Sequence, residues 1–169
     1  QPYVLGDDLF EIAMEGLSEE VCARFFKAAH PEESGKELAH RMTTVTGIDE
    51  LLPGVKVDDW AFEPCGYSMN GLRDRFYYTI HITPESGFSY ASFETNDPMY
   101  REPKWVERIA STFMPSALTL TLTTRRVDCE LGAFVLDGFK RSGLDTAQLG
   151  KELSVSSMNF LRNTEGVKV

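Results

Sequence analysis

Between Leu9 and Glu15 hydrophobic and polar positions alternate. Phe10, Ile12 and Met14 fall on one side and Leu9, Glu11, Ala13 and Glu15 on the other, which predicts a half-buried strand over 8–16 that stops at Gly16. The period then lengthens. Ser18 followed by Glu19 and Glu20 has the form of an N-cap with first-turn carboxylates, and Val21, Cys22, Phe25 and Phe26 recur at helical spacing, so a helix is predicted over 18–29. His30 to Gly35 breaks that pattern, and Leu38, Met42 and Val45 mark a second, more polar helix over 35–45. Leu51-Leu52-Pro53-Gly54 closes it with a turn. From Val57 the period becomes two. Aromatic-rich runs at 60–62, 76–82 and 88–93, joined through Gly-containing connections, predict an antiparallel meander. Pro103 near a first turn, with Trp105, Val106 and Ile109, predicts a helix over 103–112. Strict Leu/Thr alternation over 117–123 predicts a strand with a leucine face and a threonine face. A weaker strand pair follows at 133–140 and 154–162. With no repeat or linker, residues 1–169 read as a single α+β domain, a mostly antiparallel sheet with helices on one face.

Composition narrows the partners. Twenty-six acidic against 17 basic residues give a formal charge of −9 and a pI near 4.8, which argues against nucleic acid or an anionic membrane. Cys22, Cys65 and Cys129 are far apart and form no C-x-x-C pair, so neither a disulfide framework nor a metal site is expected, and a reducing, cytoplasmic location is. No run reaches the roughly 18–20 apolar residues of a membrane span. The chain starts at Gln1 without a methionine or a basic leader, which reads as a processed or incomplete chain.

Candidate chemistry gathers in three strings: Phe62-Glu63-Pro64-Cys65-Gly66-Tyr67-Ser68-Met69-Asn70-Gly71, Tyr78-Thr79-Ile80-His81-Ile82-Thr83-Pro84-Glu85 and Phe88-Ser89-Tyr90-Ala91-Ser92-Phe93-Glu94. Cys65, in a turn between Pro64 and Gly66, is either a packing residue or a nucleophile. His81 shares a strand face with Thr79 and Thr83, so its imidazole is solvated or functional rather than core. Ser68, beside Asn70 and Gly71, has the look of a turn serine bonded to its own backbone, and Glu85 after Pro84 that of a solvated strand end. His30 and His40 have no evident partners.

Taken in order, these strings resemble the eukaryotic S-adenosylmethionine decarboxylases, pyruvoyl enzymes of polyamine synthesis. The likeness extends more loosely to Gly47-Ile48-Asp49-Glu50-Leu51-Leu52-Pro53-Gly54, Gly138-Phe139-Lys140-Arg141 and Asn159-Phe160. The resemblance implies a covalent pyruvoyl group made by self-cleavage at a serine. Its ketone forms a Schiff base with the substrate amine and accepts the electrons released with carbon dioxide. It further implies that Phe62 stacks on the adenine of S-adenosylmethionine, that Glu85 binds the ribose hydroxyls, and that Ser68 and His81 assist self-processing. Glu94 is similar to an acidic residue of the putrescine-activation site.

The same family is an internally duplicated αββα sandwich, and this chain resembles its second half. The segments that yield the pyruvoyl group and supply the protonating cysteine are absent, and Cys65 matches a different family position. Ser156-Ser157-Met158 is only superficially like the cleavage motif, since Val155 stands where a glutamate belongs. The implied partner is therefore the N-terminal half as a separate chain or fragment, with a homodimer of such units as a further assembly, and the chain alone should not decarboxylate. A noncatalytic regulatory or structural subunit is the alternative, and a cysteine hydrolase using Cys65 and His81 a distant third. Because Trp60, Phe62, Phe76 to Ile82 and Phe88 to Phe93 place large side chains on both sheet faces, a second sheet should cover the face the helices leave open, and without it the chain should self-associate.

Overall fold

The computed structural model describes residues 8–125, 131 and 134–163. They form an α+β structure, an eight-stranded antiparallel sheet with four α-helices. The strands are β1 (Leu9–Glu15), β2 (Lys56–Ala61), β3 (Tyr67–Arg73), β4 (Phe76–Thr83), β5 (Tyr90–Thr95), β6 (Ala117–Thr124), β7 (Phe139–Leu149) and β8 (Leu153–Arg162), and the helices α1 (Glu19–Ala23), α2 (Gly35–Val45), α3 (Ile48–Leu51) and α4 (Pro103–Phe113). The sheet order is β2-β3-β4-β5-β1-β6-β8-β7, so the first strand is central, held between β5 and β6.

Register turns the alternation of each strand into rows that cross the sheet. Met69, Ile80, Phe93, Ile12, Leu120 and Met158 are successive partners on the helix side, and none of them has any exposed surface. The adjacent row on the open side runs Trp60, Ser68, His81, Ser92, Ala13, Thr119 and Asn159. The helices are fastened to the apolar side by specific contacts. Trp105 of α4 meets Phe93 edge-on at 5.3 Å and donates its indole N–H to the carbonyl of Leu51 at 3.2 Å. Thr43 of α2 donates to Asp59 Oδ2 at 2.6 Å and accepts from the Tyr67 hydroxyl at 2.7 Å.

Several expectations are corrected. The open face is not a second apolar face. Tyr77, Thr79, His81 and Thr83 of β4, Tyr90, Ser92 and Glu94 of β5, and Thr119, Thr121 and Thr123 of β6 occupy it, while Tyr78, Ile80, Ile82 and Phe93 all turn inward. Phe88 precedes β5 and is 73% exposed. The helix expected over 18–29 ends at Ala23 because the next residues are engaged elsewhere: Phe25 accepts from Gly66 N at 2.9 Å and Ala28 N donates to Pro64 at 2.9 Å. The turn after 35–45 contains a separate helix, α3. Ser68 to Gly71 lie in a strand, not a turn. In place of a strand over 133–140 the chain has β7, which starts at Phe139, and Ala133 lies outside the described residues.

Candidate active site

Phe62 to Gly66 forms the loop between β2 and β3, and its shape is fixed by backbone hydrogen bonds. Phe62 N donates to Gly66 O at 3.0 Å, Gly66 N donates to Phe25 O, and the Lys27 ammonium lies 3.3 Å from the Glu63 carboxylate. Gly66 has φ +111°, a conformation that L side chains rarely adopt, and an added Cβ would come within 3.4 Å of the Ile82 carbonyl oxygen. The loop therefore delivers the chain into β3 one residue before Ser68 faces β4.

Ser68 and His81 are direct partners in the β3–β4 register, and their side chains meet on the open face, with Ser68 Oγ 2.8 Å from His81 Nδ1. A hydroxyl and an imidazole at hydrogen-bonding distance can pass a proton between them. They border a cavity of 240 Å³ lined by Phe62, Cys65, Gly66, Tyr67, Ser68, His81, Ile82, Thr83 and Glu85. Phe62 is about half exposed, with its ring at the rim. Glu85 is half-buried rather than solvated, and its Oε2 is shielded from solvent without a hydrogen-bond partner, an acceptor available to a ligand hydroxyl. Burial, followed by the charge of Glu85, pushes the Cys65 thiol up. Cys65 thus stays protonated at neutral pH, and His81 is paired with Ser68 instead, which speaks against a cysteine nucleophile.

Four of the five residues to which the resemblance gives a role converge on this cavity: Phe62, Ser68, His81 and Glu85. Glu94 does not. It sits in the next open-face row, where Tyr77 donates its hydroxyl to Glu94 Oε1 at 2.8 Å and Glu11 of β1 is its register partner. Burial, and secondarily the charge of Glu94, raise the Glu11 carboxyl above its ordinary range. Glu11 went unnoticed in the sequence because alternation assigns it to a polar face and only the sheet order brings that face against β5. His30 lies 3.5 Å from Glu33 at the surface, outside the site. Among the described residues no group of three His, Cys, Asp or Glu side chains is arranged to hold a metal ion, and no helix is long and apolar enough to cross a membrane.

The sequence and the fold both have counterparts among known proteins. The sequence profile of adenosylmethionine decarboxylase matches residues 5–160, and the chain belongs to that family. It is 41% identical over 117 residues to the S-adenosylmethionine decarboxylase proenzyme of Drosophila melanogaster, covering 69% of this chain and 32% of that protein. It is 37% identical over 149 residues to that of Xenopus laevis, covering 84% of this chain and 42% of that protein. The fold is similar to the crystal structure of a Trypanosoma brucei AdoMetDC-delta26 monomer, with a TM-score of 0.79 at 22% identity over 94% of this chain and 66% of that one. The chain thus spans roughly a third of the Drosophila relative and under half of the Xenopus one.

Proposed function

We propose that this chain supplies the substrate-binding and self-processing side chains of a pyruvoyl-dependent S-adenosylmethionine decarboxylase, and that it acts together with a further part of the enzyme that bears the pyruvoyl group. The single observation that carries this reading is the convergence of Phe62, Ser68, His81 and Glu85 on one cavity. Phe62 offers an aromatic face to an adenine, and the unpartnered Glu85 Oε2 offers an acceptor to a ribose hydroxyl. Ser68 and His81 are placed to stabilise and deprotonate at the self-cleaved bond. The pyruvoyl group, when bound, supplies the electron sink for loss of carbon dioxide. All four line one cavity, and Ser68 and His81 face the side of the sheet left open by the helices. The 169 residues act as one domain, and a cytoplasmic setting fits the free thiols of Cys22 and Cys65. Glu94, with Glu11 across from it, offers paired carboxylates to a diamine such as putrescine.

In the complete enzyme, Phe62→Ala and Glu85→Gln should raise KM for S-adenosylmethionine while self-cleavage proceeds normally. For the aromatic the loss should be about 1–3 kcal/mol, roughly 5- to 150-fold in affinity. Steady-state kinetics with an unchanged KM in both variants would remove the pair from the substrate site.

A further inference from the structure

The residues that line the cavity carry three hydroxyls, and two are engaged within the protein: Ser68 Oγ with His81 Nδ1, and the Tyr67 hydroxyl with Thr43. The third belongs to Thr83, which is exposed and makes no side-chain hydrogen bond among the described residues. Its place is set by the strand. Thr83 ends β4 on the open face, two residues after His81 and two before Glu85, and all three line the same cavity. At the usual rise of a strand it lies about 7 Å along the chain from His81. The space beside it is kept clear by a glycine. One residue before Tyr67, whose register partner is Ile82, an added Cβ at Gly66 would lie 3.4 Å from Ile82 O and 3.8 Å from Phe62 Cβ, so its absence leaves room between Phe62 and the end of β4.

We infer that Thr83 is a specificity residue for a positively charged sulfur, its hydroxyl oxygen being the group that meets the sulfonium of the bound substrate. This rests on the reading of the cavity as the S-adenosylmethionine pocket. On that reading Phe62 and Glu85 hold the nucleoside, and the reacting end of the substrate lies towards Ser68 and His81. The sulfonium joins those two parts covalently, bonded to the ribose methylene on one side and to the amino-acid chain on the other. Thr83 occupies the corresponding place on the protein, between His81 and Glu85. A hydroxyl suits the task, because its hydrogen can rotate aside and leave the oxygen lone pairs towards a cation. A neutral thioether offers those lone pairs no charge to meet. The ring face of Phe62 and the charge of Glu85 also attract a cation, so the hydroxyl supplies the part of the preference that a Thr83 variant removes.

The test uses the complete enzyme and two nucleosides that differ at sulfur: methylthioadenosine, a neutral thioether, and the dimethylsulfonium nucleoside made by methylating it. Isothermal titration calorimetry should show the charged nucleoside bound more tightly. Thr83→Val keeps the shape and the strand propensity and removes the oxygen. It should weaken the charged nucleoside several-fold and leave the neutral one little changed, with KM for S-adenosylmethionine rising alongside the former. Thr83→Ser, which keeps the hydroxyl, should restore the preference. An equal effect of Thr83→Val on both nucleosides, no effect on either, or Thr83→Ser no better than Thr83→Val would overturn the inference. Glu85→Gln separates the two readings, since it should weaken both nucleosides through their shared ribose. If it does so while Thr83→Val leaves the preference intact, the role of Thr83 fails alone. If Glu85→Gln leaves both nucleosides unchanged, the substrate-pocket reading fails and the role of Thr83 falls with it.

Discussion

Ser68 and His81 owe their 2.8 Å contact to strand register, so removing either side chain deletes a proton path without disturbing the ladder beneath it. His81→Ala and Ser68→Ala should each slow self-cleavage of the full-length precursor by about 10²- to 10⁴-fold, the usual contribution of general acid–base groups. Gel electrophoresis would show the precursor persisting, and cleavage at the normal rate in both variants would contradict the assignment. Glu11 and Asp8 make opposite demands on pH. Glu11 is raised by burial and then by Glu94, so the folded state favours its protonated form: its contribution is fully present below the unfolded carboxylate pKa and is lost as pH rises through the folded value. Thermal unfolding of Glu11→Gln should therefore show a gain over wild type that grows from acid to neutral pH. A gain that shrinks with pH would reverse the sign. For Asp8, burial alone would raise the carboxyl, but hydrogen bonds from Thr124, Tyr100 and Arg101 outweigh it and lower it, so its contribution is lost on acidification instead.

At the scale of elements, α2 is locked to β2 and β3 through Thr43, which bridges the buried Asp59 and the Tyr67 hydroxyl beneath the Ser68 strand. Thr43→Val keeps the shape and removes the bridge, and should cost about 1–3 kcal/mol because buried polar groups lose a partner. Urea denaturation would measure it, and a neutral substitution would mean that Lys36, 3.3 Å from Asp59, suffices alone. The elements legible in the sequence were those whose period reports one buried face: β1, β4, β5, β6, β8, α2 and α4. The invisible ones have identifiable causes. β3 carries Ser68, Asn70 and Gly71, a turn-like composition, yet Gly71 is required because a Cβ there would come 2.5 Å from Val55 Cγ1. β7 is an edge strand exposed over most of its length, so nothing imposes alternation on it. α1 was overread since Phe25 and Phe26 have helical spacing, while tertiary hydrogen bonds to the Phe62–Gly66 loop decide their conformation. The site followed the same logic. Phe62, Ser68, His81 and Glu85 were found through resemblance; register joins Ser68 to His81, and the flanking loops bring Phe62 and Glu85 to the same cavity, whereas Glu11 needed the sheet order to become visible.

At the scale of the whole molecule, Ser68, His81, Glu11 and Glu94 lie on the side of the sheet that the helices do not cover, and Phe62 and Glu85 join Ser68 and His81 from the adjoining loops. That face is lined mainly by threonine, serine, tyrosine and glutamate, so water can hydrate it, and the driving force foreseen for self-association is smaller than two apolar faces would give. A polar sheet face carrying a cavity suits a cover that brings its own reactive group, as the proposed function requires. The decisive measurement is release of labelled carbon dioxide from carboxyl-labelled S-adenosylmethionine. It should be made with the 169-residue chain alone and with the chain joined by a polypeptide from the same source corresponding to the part of the curated relatives it does not span. Release should occur only when both are present and should fall sharply when the chain carries Glu85→Gln. Release by the chain alone, or undiminished release with Glu85→Gln, would contradict the proposed division of labour between the two parts.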